Sequence, residues 1–214
     1  MCGRFANTNT IEELVGKFNI DIDSANDLYI SESYNISPTQ YSPVIFEDKM
    51  QRKIEKMHWG LIPSWSKDKK FSSNMINARI ESIKDKPSYK NLVNTKRCVV
   101  ISSGYYEWTQ SGGKKQPYYI YNDEKILPIA GLWTKWEGIL SFTIITRNAH
   151  KSLKSIHHRM PLVLDSDSID SYLNTDISFD ESYTISNSHL KYHKVSRMVN
   201  STANNNKSCI DSIG

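Results

Sequence analysis

The chain has 214 residues, of which 38% are hydrophobic, 11% aromatic and 23% charged. That is too apolar and aromatic for a disordered chain and too polar for a membrane protein, and the length suits one generous domain. The net charge of +4 is unevenly spread: residues 165–183 hold six acids and no lysine or arginine, whereas residues 49–70 hold seven bases against Glu55 and Asp68.

No run approaches the ~18 apolar residues of a spanning helix. Met1-Cys2-Gly3-Arg4-Phe5 opens no secretory signal, so a cytoplasmic protein without membrane attachment is expected. Thr10-Ile11-Glu12-Glu13 reads as a capping box opening a short helix. Val44–Phe46 and Ile54–His58 read as two strands joined at Asp48-Lys49, and Pro87–Val93 as a short helix. Then strands dominate: Arg97–Ile101, Tyr105–Thr109, Pro117–Tyr121, Ile126–Trp133 and Leu140–Thr146, with Gly112-Gly113 as a hairpin turn. Asn148–Ile156 is helical in pattern, Pro161–Leu164 a strand, Ser166–Leu173 a helix with an acidic start, and His189–Val195 a last strand. The expected fold is one α+β domain over residues 2–200, with a curved, barrel-like, mostly antiparallel sheet and peripheral helices. Residues 201–214 are expected to form a flexible tail.

Three cysteines cannot all pair within one chain, and there is no C-x-x-C, so free thiols and no structural zinc are expected. Cys98 sits in an apolar run and reads as core. Cys209 falls in the polar tail and is assigned no role. Cys2 acquires meaning only from the motifs that follow.

Polar residues interrupt apolar patterns at three places. Gly104-Tyr105-Tyr106-Glu107-Trp108 puts a carboxylate inside an aromatic strand. His157-His158-Arg159-Met160-Pro161 puts a cationic cluster before an apolar strand. Asn74-Met75-Ile76-Asn77-Ala78-Arg79 sets an amide and a guanidinium two residues apart, hence on one face of an extended chain. His157 and Arg159 share a face in the same way, and His158 is expected to face away. Taken singly, each has a plain structural reading: Glu107 paired with a core arginine, His157 a satisfied histidine, Trp59 a core side chain.

Together with Met1-Cys2-Gly3-Arg4-Phe5, Asn35-Ile36-Ser37-Pro38-Thr39-Gln40 and Trp59-Gly60-Leu61-Ile62-Pro63-Ser64-Trp65, these motifs resemble, in order, the SOS-response-associated peptidase (SRAP) family. The resemblance spans about residues 2–164. It implies a single SRAP-type domain that senses abasic sites in single-stranded DNA and crosslinks itself to the lesion through Cys2.

The chemistry accounts for the residue types. If Met1 is removed, Cys2 carries an α-amine and a thiol on adjacent carbons. The amine has a reference pKa of about 7.7–8.0, against about 10.4 for lysine, so it is the better amine nucleophile near neutral pH. It can attack the aldehyde of a ring-opened abasic sugar, and the thiol can close the imine into a thiazolidine. His157 is assigned as proton donor for ring opening. Glu107, among aromatic rings, is expected to have a raised pKa and to shuttle protons, and Asn77 to bind the sugar or the amine. Arg79 and Arg159 are expected to hold phosphates, and Trp59, Trp65 and Trp108 to stack on bases. By resemblance Arg4, Pro38, Thr39, Gln40 and Thr146 join the DNA-contacting set. No metal or organic cofactor is implied.

The expected partner is single-stranded DNA with abasic sites, including single-strand/double-strand junctions, bound by a monomer that is nucleoid-associated when on DNA. Self-cleavage of Met1 and strand cleavage by an abasic-site lyase route are compatible with the same residues. Two other functions stay open on the sequence. A cysteine-type peptidase acting in trans would use Cys2 as nucleophile and His157 as base. A non-catalytic single-strand binding module would ignore Cys2 and respond to salt.

Overall fold

The structure is a computed structural model, which describes residues 2–21, 25, 28–111, 114–180, 183 and 190–214. Twelve strands are described: β1 (Phe5–Asn7), β2 (Ser33–Ile36), β3 (Tyr41–Asp48), β4 (Gln51–Trp59), β5 (Asn77–Arg79), β6 (Arg97–Ser102), β7 (Gly104–Ser111), β8 (Lys114–Tyr121), β9 (Leu127–Trp136), β10 (Ile139–Asn148), β11 (Arg159–Pro161) and β12 (Lys191–Lys194). Among the described residues, the α-helices with full bounds are α1 (Ile11–Phe18) and α2 (Ile169–Leu173). The single, mostly sheet domain with few helices agrees with the sequence reading.

Thr10 opens α1 with both halves of the capping box in place, and Leu14 and Phe18 bury its apolar face. β3 and β4 form the expected hairpin. Its turn is at Lys49-Met50, one residue later than the sequence reading placed it, with both residues at positive φ (51° and 63°). The turn therefore has the primed geometry that suits a twisted hairpin, built without the usual Asn-Gly signal.

The strands form two sheets. One has the order β12-β8-β7-β1-β2. In the other, β10 pairs with both β4 and β9, so the path β10-β4-β3-β6-β9 closes on itself into a ring. Its pairs are antiparallel except β10–β4 and β10–β5. The ring strands are buried on both faces. Val44 and Phe46 of β3 enter one core and Ile45 another, and Cys98 and Val100 of β6 are divided from Val99 and Ile101 in the same way. Two-sided burial is why these strands read as continuous apolar runs rather than alternating ones. β6 runs into β7 through Ser103, whose N–H donates to Ala6 O at 2.7 Å, so the same chain passes from the ring into the second sheet.

Several expectations need correction. Pro87–Val93 is a set of turns ending in a 3-10 turn at Leu92–Asn94, and 149–156 is also turns after β10 ends at Asn148. In both stretches the apolar residues anchor a loop to the core, Val93 in one case and Leu153 and Ile156 in the other, and a helical spacing of anchors does not require a helix. The strand read at Pro161–Leu164 begins two residues earlier as β11. Gly112-Gly113 lies outside the described residues.

The largest correction is at the C-terminus. Residues 201–214 are docked, not loose. Asn35 Nδ2 donates to Ser201 O at 2.9 Å and to Asn204 O at 2.6 Å, and Arg4 Nη1 donates to Val199 O at 2.8 Å. Ser212 bridges to Val195, and Cys209 is fully buried. Polar composition misled because the segment is held by hydrogen bonds from the buried Asn35 side chain rather than by an apolar stripe. Deleting residues 201–214 is expected to cost on the order of 3 kcal/mol, since it removes two of the three carbonyls that Asn35 Nδ2 donates to and takes Cys209 out of its buried cluster. Thermal unfolding should then fall by about 10 °C.

Candidate functional site

The site lies where the two sheets meet. β1 brings the N-terminal residues beside β7, with Phe5 opposite Tyr105. From the ring, β4 contributes Trp59, whose ring packs 5.0 Å from that of Phe5. β5, parallel to β10, delivers Asn77, whose Nδ2 donates to Cys2 O at 2.8 Å and so joins the two sheets. Asn77 Oδ1 is buried with no hydrogen-bond partner among the described residues.

Glu107 projects from the middle of β7 and is 3% exposed. Burial pushes its carboxyl up to about 7, opposed by the Trp108 N–H and the charge of His158. His157 Nδ1 stands 3.9 Å from Glu107 Oε1. The same Nδ1 lies 3.0 Å from the Arg159 backbone nitrogen and 3.2 Å from the Arg159 carbonyl oxygen, so the Arg159 backbone fixes the ring's orientation and either tautomer finds a partner there. Partial burial, with the positive charge nearby, lowers the pKa of His157. Cys2 is fully buried, and burial together with the Glu107 carboxylate pushes its thiol up. Cys2, Asn77, Glu107 and His157 therefore converge.

Tyr105 joins this group and was missed from the sequence. Its hydroxyl is buried without a partner among the described residues, and burial, with Cys2 and Glu107 adding to it, pushes its pKa up. The signal was present: Tyr105 and Glu107 are two apart in a strand and share a face.

The sequence matches the family described as SOS response associated peptidase (SRAP) over residues 1–202. The chain belongs to the SRAP family. It is 34% identical to abasic site processing protein YoqW of Bacillus subtilis, the alignment covering 99% of this chain and all of the relative. It is also 34% identical to abasic site processing protein HMCES of Xenopus tropicalis, over 89% of this chain and 69% of that one. A Bacteroides thetaiotaomicron crystal structure shares the fold, with a TM-score of 0.85, 24% identity and 99% of both chains covered.

The other residues singled out in this SRAP chain fall into two groups. Some face solvent around the site. Ser37-Pro38-Thr39-Gln40 is a tight turn in which the Gln40 N–H donates to Ser37 O at 3.2 Å and the Thr39 N–H to Trp59 O at 2.8 Å. Thr39 sits at φ +73°, a region strongly disfavoured for a β-branched residue and a form of strain that concentrates at functional sites. Next to it is a groove of about 580 Å³ lined by Thr39, His58, Lys69, Lys70, Ser72 and Ser73. Trp65 is 62% exposed at the edge of the same segment, which is held by Trp136 Nε1 donating to Ser66 O at 2.7 Å. Arg79 is exposed. Trp108 is half-buried, its Nε1 donating to Asn200 Oδ1 at 2.8 Å.

The rest are built into the fold. Trp59 is fully buried, donates from Nε1 to Ile76 O at 3.0 Å and stacks on Phe142, so no ring face is open to a base. Arg4 is spent on Asn35 Oδ1 and Val199 O. Thr146 is fully buried in β10. Arg159 is 6% exposed, with its guanidinium paired to Glu81. His158 does not face away from His157. Their rings stack at 4.4 Å because the chain bends there and becomes extended only at Arg159.

Proposed function

We propose that this chain processes abasic sites in single-stranded DNA by crosslinking itself to them through Cys2 once Met1 is removed. The observation that carries the reading is the convergence of Asn77, Glu107 and His157 on the backbone and side chain of Cys2 at the meeting of the two sheets. The names of the relatives, abasic site processing proteins, support the DNA lesion as the substrate.

In this reading the free α-amine of Cys2 adds to the sugar aldehyde, and water leaves to give an imine. Asn77 Oδ1, buried and open as an acceptor, suits a hydrogen bond from that amine. Glu107, near half-protonated at neutral pH, donates the proton that lets the hydroxyl leave as water. His157, whose lowered pKa keeps it neutral, assists ring opening as a hydrogen-bond donor. The Cys2 S–H then adds across the C=N bond, sulfur to carbon and the proton to nitrogen, closing a five-membered ring. If closure fails, β-elimination from the imine cuts the strand.

The rival reading, a thiol peptidase acting in trans, needs a thiolate held below the ordinary thiol pKa. Burial and Glu107 push this thiol the other way. DNA contact is assigned to the exposed groups: Arg79 and the Lys69 and Lys70 groove for phosphate, and Trp65 and Trp108 for bases.

The test uses protein with Met1 removed and a single-stranded oligonucleotide whose one uracil has been excised by a glycosylase. A denaturing gel should show a covalent shift with this oligonucleotide and none with its undamaged counterpart. Turnover of peptides in trans without any shift would favour the peptidase.

A further inference from the structure

Past the turn Ser37–Gln40 lies a surface that the reaction does not use. β3 and β4 pair antiparallel, with Tyr41 opposite His58 and Pro43 opposite Lys56. Alternation puts these four side chains on one face of the hairpin, while Met57 and Trp59 enter the core cluster that holds Cys2. Further along the same face Ile45 and Ile54 are fully buried. At this end the face reaches solvent: Tyr41 is 52% exposed, and Lys56 is exposed.

Two grooves flank this end of the hairpin. The first is the groove of about 580 Å³ already described, between Thr39, His58, Lys69 and Lys70. Gly60 lets the Lys69–Asn74 segment wall it: at φ +127°, a Cβ there would stand 2.5 Å from Ser72 O. The second groove, of about 410 Å³, is bounded by Ile30, Gln40, Tyr41, Pro43, Lys56 and Asn205. Thr39 borders one groove and Gln40 the other, and the rings of Tyr41 and His58 meet edge-on at 5.6 Å between them. The two grooves therefore adjoin across one pair of side chains.

Charge and ring faces set this tract apart. Among the described residues no acid lines either groove, whereas a groove beside Arg52 has Asp21 and Glu47 in its wall. Lys70 stands 3.8 Å from Asp68, but Lys56 and Lys69 have no carboxylate partner among the described residues. The Lys56 ammonium lies instead 5.9 Å from the ring of Tyr29, which is 77% exposed. A single exposed tyrosine is ordinary on a protein surface. Open tyrosine rings interleaved with unpaired lysines along adjoining grooves are what a single strand needs: cations for its phosphates and flat faces for its bases.

We propose that the tract Lys69–Tyr41–Lys56–Tyr29 binds the unpaired strand that flanks the lesion on one side, with a base stacked on Tyr41 and phosphates at Lys56 and Lys69. The inference rests on the abasic-site reading above for its substrate, and extends the contact surface around the turn to the face of β3–β4 that points away from Cys2. None of these side chains belongs to the reacting set, so the flank adds affinity and leaves the chemical step alone.

The experiment measures binding to short strands that carry a stable tetrahydrofuran abasic analogue, either near one end or followed by about eight further unpaired nucleotides on one side or the other. Wild-type protein should bind more tightly when the flank is added on one side. Tyr41→Ala should lose about tenfold in affinity for that strand and less than twofold for the short one. Tyr41→Phe, which keeps the ring, should bind as wild type does. Lys56→Gln should lower the slope of log affinity against log salt by about 0.7 on the flanked strand only. The rate of adduct formation at saturating, genuinely abasic DNA should stay within twofold of wild type in all three variants. The tract is overturned if Tyr41→Ala binds both strands as wild type does, if it weakens both equally, or if a duplex flank gives the same gain as an unpaired one. A wild-type protein that binds the analogue but forms no adduct with abasic DNA overturns the crosslinking reading instead, and the binding series still decides on the tract.

Discussion

Replacing Cys2 with serine is expected to remove every adduct that survives denaturation while leaving DNA binding within about twofold. The serine variant keeps the N-terminal amine, so it can still form the imine. An oxygen ring closed from serine is far more easily hydrolysed than the sulfur ring. The variant should thus be trapped on abasic DNA by borohydride reduction, and without the reductant it should cut the strand at the lesion more than wild type does. Binding should be spared because the thiol is buried, whereas Arg79, Lys69, Lys70 and Trp65, the groups proposed to contact DNA, are exposed. Equal amounts of denaturation-resistant adduct from Cys2→Ser and wild type would remove the thiol from the mechanism.

Glu107→Gln has the second largest expected effect, a loss on the order of a hundredfold in the rate of adduct formation. Glutamine keeps the shape and a hydrogen-bonding end but carries no transferable proton. The pH profile gives the sharper test. The amine must be neutral, so the rate rises with pH toward an amine pKa of about 7.7–8.0. Glu107 must be protonated to release water, so the rate falls as pH rises through about 7. The wild-type profile is therefore a bell centred between these values, and Glu107→Gln should show only the rising limb. The same group carries a stability signature. A carboxyl whose folded pKa lies above its unfolded value binds more protons in the native state, so wild-type stability should fall as pH rises from about 4.5 to 7 and then level off. Glu107→Gln should lack that decline. A variant that reproduces the wild-type bell would exclude Glu107 as the proton carrier.

Much of the architecture was legible because it rests on local signals. The capping box at Thr10 and the apolar runs of β6, β9 and β10 are properties of short segments, and the structure follows them. What escaped were features decided by distant partners. The tail looked loose because nothing in residues 201–214 announces that Asn35, far back in the chain, supplies donors for its carbonyls. Trp59 looked like a base-stacking residue because a tryptophan beside basic residues fits either role, and only its packing on Phe5 and Phe142 decides for the core. Arg159 looked like a phosphate clamp because its partner, Glu81, is 78 residues away. Even so, Tyr105 and Glu107 alternate along β7, and that periodicity was the available hint for Tyr105, which the sequence reading left out. The residues assigned to the chemistry were singled out through their motifs as a set; singly, each of them had an ordinary structural explanation.

The most direct measurement is the mass of the crosslinked peptide. Protein is allowed to react with an abasic single strand, digested with protease and nuclease, and the modified peptide is identified by mass spectrometry. The account predicts one modified peptide, beginning at Cys2 without Met1, whose added mass is that of the retained sugar fragment less one water. Fragmentation should assign that mass to Cys2. An adduct on a lysine, or on a chain that retains Met1, would contradict the account.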